Sequence, residues 1–186
     1  VSSSSTGNFL TLFSVDTINF PDNIAVRKYS ISDGHNVVWD QKRELLWAGS
    51  DHQLRAYRYN VDCSKPELRV SDSLSLPGNL HDLFPVYGED ALWLTTNSKV
   101  FRLDLASKKF YEVDAQPPKN IKSVSSGPTG FSIIMIHPQE KWWTDEVIST
   151  TGQTVFRETG LKIYKARWFI DNQFSYPEGH EIKVCR

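Results

Sequence analysis

The sequence has little cysteine, no dominant charge and no long apolar run. Cys63 and Cys185 are the only cysteines in 186 residues, so at most one internal disulfide can form. Because the two are distant in the chain, free thiols are the simpler expectation. Apolar runs cover only a few residues, which predicts no membrane-spanning segment. The 21 basic and 22 acidic residues nearly cancel, which argues against nucleic acid as a partner.

Motifs of common enzyme classes are also missing. The chain has no Gly-x-Ser-x-Gly, no His-Glu-x-x-His and no phosphate-binding glycine loop. Neither cysteine has metal-ligand spacing, so we expect no metal and no cofactor. The chain begins at "VSSSSTGNFL" without a methionine, which suggests a mature or truncated product.

What the chain does have is a series of short apolar and aromatic runs separated by turn clusters. We find no dozen-residue window with helical apolar spacing. Clusters such as "SDGHN", "DQKRE", "YGED" and "STTGQ" recur every 8–12 residues or so. This pattern predicts an all-β protein.

The runs repeat at a nearly constant period. A histidine or lysine recurs at His35, His81, Lys122 and Lys165, at spacings of 46, 41 and 43 residues, and "STGNFLTLFSV" aligns 44 residues before the corresponding run. A repeat of this length with four strands is typical of a β-propeller blade, whose two apolar faces need neighbours on both sides. A β-sandwich is the alternative, although it requires no fixed period.

We therefore predict a single β-propeller region over 1–186, with four-stranded antiparallel blades of about 41–46 residues. The blades fall approximately at 1–33 (partial), 34–78, 79–118, 119–160 and 161–186 (partial). In the 34–78 blade we place strands over 35–39, 45–48, 53–59 and 68–75. In the last we place them over 163–169, 173–176 and 181–185. Because the first blade lacks its innermost strand and the last its fourth, we expect the C-terminal part of a longer ring.

Five segments carry a resemblance: "SSSTGNFLTLF", "GHNVVWDQKRELLWA", "LRAYRYN", "LPGNLHDLFPV" and "EIKVCR". They resemble a family of uncharacterised, secreted β-propeller proteins with a domain of unknown function from Bacteroides-type gut bacteria, and the chain is similar to its C-terminal portion. The resemblance implies a six- or seven-bladed ring and a periplasmic, outer-surface or secreted location. It implies no chemistry.

The repeat alignment selects one group of candidate ligand-binding residues. Equivalent positions on innermost strands should bring four side chains to one level of a central channel: His35, His81, Lys122 and Lys165. Such a cationic level would suit a carboxylate or sulfate. The alternative is that each His bonds a neighbouring blade and each Lys is solvated.

A second candidate is the loop "HPQEKWWTDE", which is longer than its counterparts and carries Trp142 and Trp143. Exposed indoles could stack on sugar rings or on a partner protein. Alternatively, one Trp caps the blade edge and the other begins the next strand. Trp47 and Trp93, at equivalent second-strand positions, are expected in the core.

These residues favour a binding module for a carbohydrate or a protein over an enzyme. A lyase or hydrolase acting on acidic polysaccharide is the alternative, since a Lys or His could act as base, and a structural scaffold is a further one. No catalytic residue is assigned. Ligand identity, blade number and oligomeric state do not follow from the sequence.

Overall fold

The computed structural model describes residues 2–4, 6–15, 24–62 and 64–181. Cys63 and Cys185, and with them the expectation of free thiols, lie outside these residues. Across the described ranges the protein consists of strands, turns and irregular segments without any helix, as predicted. Accordingly, those ranges contain no helix of the length and apolarity that crossing a membrane requires.

The chain divides into two compact units. Unit one comprises Val1–Leu76 and Tyr176–Arg186, and unit two comprises Pro77–Ser175. Unit one contains a three-stranded sheet of β1 (Ser2–Ser4), β2 (Phe9–Val15) and β3 (Ile24–Ser30). Its second sheet contains β4 (Asn36–Asp40), β5 (Leu45–Gly49), β6 (Gln53–Tyr59) and β7 (Leu68–Ser75).

Unit two contains two four-stranded sheets. The first is formed by β8 (Leu80–Pro85), β9 (Ala91–Thr96), β10 (Val100–Asp104) and β11 (Lys109–Val113). The second is formed by β12 (Ser123–Ser125), β13 (Ile134–Ile136), β14 (Glu146–Ser149) and β15 (Thr154–Arg157). In every sheet the strands are antiparallel and follow one another in chain order. The predicted four-stranded antiparallel architecture is confirmed.

The second strands β5, β9 and β13 are buried on both faces, which accounts for their continuous apolar sequence. Every residue of β5 and β9 is buried. Trp47 and Trp93 occupy the same place in these strands and are only 3% and 4% exposed, as the repeat predicted. In unit two, Trp93 packs into a core with Ile121 and Met135. A tight turn through Gly88, at φ 70°, connects β8 to β9, and such a backbone favours glycine.

The last predicted repeat differs from the sequence-based expectation. Residues 163–176 contain no strand, and the predicted strands over 163–169 and 173–176 are wrong. Instead, an isolated bridge joins Ile163 to Thr144, and the chain then follows β12 through side-chain contacts. The amides of Ala166 and Trp168 donate to the hydroxyls of Ser123 and Ser125 at 3.1 and 3.2 Å. Without a second strand after it, this segment has no ladder to join. Of the strand predicted over 181–185, only Glu181 is described.

Candidate anion-binding site

The candidate site lies in unit two, where the first strands of its two sheets meet. β12 contacts β8, and β8 has a bulge at its start. Leu80 pairs with Thr96 but Asp82 pairs with Thr95, so His81 is the extra residue. A bulge redirects the side chain that it carries. The adjacent His81 and Asp82 are thereby both available to the segments around Lys122 and Lys165.

Asp82 is the anionic centre of the site. Its side chain is fully buried and accepts hydrogen bonds through both oxygens. Lys165 Nζ and Arg167 Nη2 donate to Oδ1 at 2.9 and 2.6 Å, and the amide of Val124 donates to Oδ2 at 3.1 Å. Such charge-assisted bonds provide the compensation that a buried carboxylate needs. Lys165 Nζ also donates to the carbonyl of His81 at 3.1 Å.

Lys122 is the second feature of the site. The residue is 2% exposed, and its Nζ lies 3.0 Å from Nε2 of His81. Burial, and then the positive charge of Lys165, lower the pKa of Lys122. Within the described ranges no carboxylate forms an ion pair with Lys122. The alternative that each lysine is solvated is therefore wrong for Lys122, which is buried and lies against the loop that follows β13.

His81 Nε2 faces two groups at once. It contacts Asn97 Oδ1 as well as Lys122 Nζ. With a proton on Nε2, the imidazole donates to the side-chain oxygen Oδ1 of Asn97. Without that proton, Nε2 accepts from the Lys122 ammonium. The position of this proton therefore couples His81 to the ionisation of Lys122.

The loop "HPQEKWWTDE" (residues 137–146), called the Trp loop, lies against this cluster. The indole of Trp142 is 59% exposed, and its ring centroid is 5.5 Å from Lys122 Nζ, a cation–π distance. The loop is closed by a tight turn in which Lys141 has a φ of 53° and Trp143 N donates to Glu140 O. Trp143 lies edge-on to Tyr164 at 5.8 Å and does not begin β14, contrary to one sequence-based alternative.

Three of the four channel candidates thus lie together: His81, Lys122 and Lys165. His35 belongs to unit one, where its Nδ1 is 2.8 Å from the carbonyl oxygen of Asp33. Sequence reasoning did not select Asn97, Arg167 or Asp82. Arg167 could have been found, since residues two apart in an extended segment share a face and Lys165 was already selected. Asn97 has no comparable signal.

A family comparison covers the whole chain. The profile of a family of unknown function, DUF6528, matches residues 1–186. The chain belongs to the DUF6528 family. No curated protein matches this DUF6528 chain.

The chemistry available at the site follows from its charges. Lys165 and Arg167 pair with one buried carboxylate, Asp82, and Lys122 contacts the adjacent His81, so the cluster carries a positive excess. Lys165 and Arg167 are held by Asp82, whereas Lys122 contacts an imidazole and an indole face. A carboxylate or sulfate beside Lys122 would offset the cost of its burial. No cluster of metal-ligating side chains exists among the residues described.

Proposed function

We propose that this chain is a β-propeller binding module whose unit-two site holds the carboxylate of an acidic sugar. The observation that carries the proposal is the buried ammonium of Lys122, beneath the exposed indole of Trp142 and without an ion-paired carboxylate in the described structure. A uronic acid offers an anion for the lysine and an apolar ring face for the indole.

The surrounding contacts support an anion in preference to a neutral ligand. Lys122 has a lowered pKa, so an incoming carboxylate would stabilise its charged form in a partly dehydrated place, where charge pairing is stronger than in water. His81 and Asn97 add polar groups that can bond sugar hydroxyls. Asp82 accepts hydrogen bonds from Lys165 and Arg167, which holds these two cations at the site.

The test is calorimetric titration with matched oligosaccharides, oligogalacturonate against the corresponding neutral galactan fragment. Acidic fragments should bind and neutral ones should not. Lys122→Met should reduce the affinity for the acidic fragment at least tenfold, because it removes the charge. The side chain keeps a similar length, so packing should change little. Lys109→Met is the matched control, since Lys109 is exposed at the start of β11.

Equal binding of both fragments, or unchanged binding in Lys122→Met, would exclude the site as an acidic-sugar site.

Trp142→Ala separates the contact of the sugar ring with the indole from the contact of the carboxylate with Lys122. If the indole stacks on the ring, this variant should lose affinity for the oligosaccharide but retain weak binding of free galacturonate. Tyr111→Ala, an exposed aromatic on β11, controls for general surface changes.

One observation favours a second candidate, a lyase acting on acidic polysaccharide. A lysine with a lowered pKa in contact with an imidazole is suited to act as a general base. It would remove the proton at C5 of the uronate; the C–H electron pair forms the C4–C5 double bond as the C4–O bond breaks and the leaving oxygen takes a proton. Appearance of the unsaturated product by ultraviolet absorbance, and its loss in Lys122→Met, would establish this reaction.

The four-stranded sheets support the propeller fold in this proposal, since each has two faces to bury and β12 packs beside β8. We propose a cell-envelope or secreted location on the sequence resemblance alone. Fractionation of cells that express the full-length gene from its native start would test it, and recovery with the cytoplasmic proteins would contradict it.

A further inference from the structure

Unit one contains a cavity that the acidic-sugar proposal does not involve. Its volume is about 540 Å³, within the roughly 300–1,000 Å³ of small-molecule sites. Its walls come from the end of β4 and the turn after it, from β6, and from the segment that begins at Tyr176. The wall includes Trp39, Gln41, Arg58, Tyr59, Tyr176 and His180.

Aromatic rings form one part of the cavity wall and are held by specific contacts. Trp39 Nε1 donates to Tyr176 Oη at 2.7 Å, which ties β4 to a segment 137 residues later. Tyr176 and His180 stack with centroids 4.1 Å apart and an interplanar angle of 16°. Tyr59 adds a third aromatic side chain from β6. These rings offer flat apolar faces with little side-chain entropy left to lose on binding.

Two polar groups on the other part of the wall, Gln41 and Arg58, are available to a ligand. Among the described residues, no donor bonds the buried Oε1 of Gln41. Buried polar atoms normally have a partner, so an orphaned oxygen at a cavity wall indicates a missing donor. Arg58 is exposed on β6, and within the described ranges its guanidinium forms no hydrogen bond or ion pair. The wall also contains Glu44 and Glu181.

We propose that this cavity binds a neutral saccharide of one or two rings. Sugar hydroxyls donate and accept, so they can serve both Gln41 Oε1 and the guanidinium of Arg58. The axial C–H face of a pyranose fits against aromatic rings such as Trp39 and Tyr176. Mixed charge at the wall disfavours the alternatives: Arg58 opposes a quaternary ammonium ion, and the two glutamates oppose an anion.

This assignment is independent of the acidic-sugar site. Its residues belong to unit one, whereas His81, Lys122 and Trp142 belong to unit two. Different substitutions should therefore weaken the binding of a neutral saccharide and the binding of a uronic acid. Either proposal can fail while the other holds.

The experiment is calorimetric titration of the whole chain with maltose, cellobiose, lactose and mannobiose. At least one should bind, and Tyr176→Ala should weaken it at least tenfold by removing a ring and the acceptor for Trp39. Tyr111→Ala, a comparably exposed tyrosine in unit two, should leave the affinity unchanged. If Tyr176→Ala does not fold, Arg58→Met tests the same cavity, because an exposed substitution should leave the fold intact. Arg58→Met should weaken saccharide binding severalfold.

Gln41→Met distinguishes ligand binding from a structural role. It should weaken saccharide binding severalfold while the thermal midpoint stays the same or rises, because a buried unpaired oxygen is removed. The proposal is overturned if no disaccharide binds up to tens of millimolar, if tetramethylammonium or galacturonate binds in this cavity instead, or if Gln41→Met and Arg58→Met both bind normally.

Discussion

Lys122 Nζ and His81 Nε2 lie 3.0 Å apart, although 41 residues separate them in the chain. They occupy equivalent positions of two successive repeats, so the contact joins the first strand of one sheet to the segment that enters the next. A buried ammonium beside an imidazole is costly unless an anion compensates it. The protein thus retains a locally unfavourable charge, which is typical of functional sites.

Replacing Lys122 with methionine should stabilise the protein at neutral pH by about 1 kcal/mol, because a buried charge is replaced by an apolar chain of similar length. The effect should depend on pH. The folded-state pKa of Lys122 is lowered, so between that pKa and the unfolded value of 10.5 the unfolded chain binds more protons. Stability of the wild type therefore rises with pH across this window.

Urea unfolding from pH 7 to 10 measures both effects. The advantage of Lys122→Met should be largest below the folded-state pKa and should shrink as the pH approaches 10.5. Lys109→Met, on the exposed side of β11, should show neither change. A variant less stable than wild type at neutral pH would mean that the contacts to His81 and Trp142 outweigh the cost of burial.

Removing the carboxylate of Asp82 should have the opposite effect. Asp82→Ala leaves Lys165, Arg167 and the amide of Val124 without their acceptor, and we expect a loss of about 3–5 kcal/mol. Glu112→Gln is the control, since Glu112 pairs with Lys99 at the surface, where an ion pair contributes about 1 kcal/mol or less. Denaturant unfolding at neutral pH compares them, and equal losses would show that Asp82 is not the centre of the site.

Sequence periodicity predicted the sheets better than it predicted the site. β6 and β7 have the predicted ranges, and β5 nearly so, because period and turn chemistry define them locally. The strand over 163–169 was wrong because a ladder needs a partner, which no local pattern reports. Likewise, the repeat located Lys122 but gave no indication of its burial, since burial depends on where the Trp loop packs.

The equivalent tryptophans should be major contributors to stability. Trp47→Ala and Trp93→Ala remove buried indoles that also donate hydrogen bonds, to Asp40 at 3.4 Å and to Ser126 at 3.0 Å. Each should cost about 3–5 kcal/mol. Trp142→Ala, at 59% exposure, should change stability by less than about 0.5 kcal/mol. Thermal or urea unfolding measures all three, and a small loss at Trp93 would contradict its place in the unit-two core.

Binding of an acidic sugar should weaken as the pH rises. The free protein has a lowered Lys122 pKa, and a bound carboxylate favours the protonated lysine, so the pKa rises on binding. Above the free-state pKa, each binding event must take up a proton, and affinity should fall up to tenfold per pH unit until the bound-state pKa is reached. Below the free-state pKa the lysine is already charged, and affinity should level off as long as the uronate stays ionised.

Calorimetry of galacturonate binding in two buffers of different ionisation enthalpy measures the proton uptake directly. Affinity and proton uptake that are independent of pH in this window would show that the ligand does not contact Lys122, and Lys122→Met should abolish both dependences if it does.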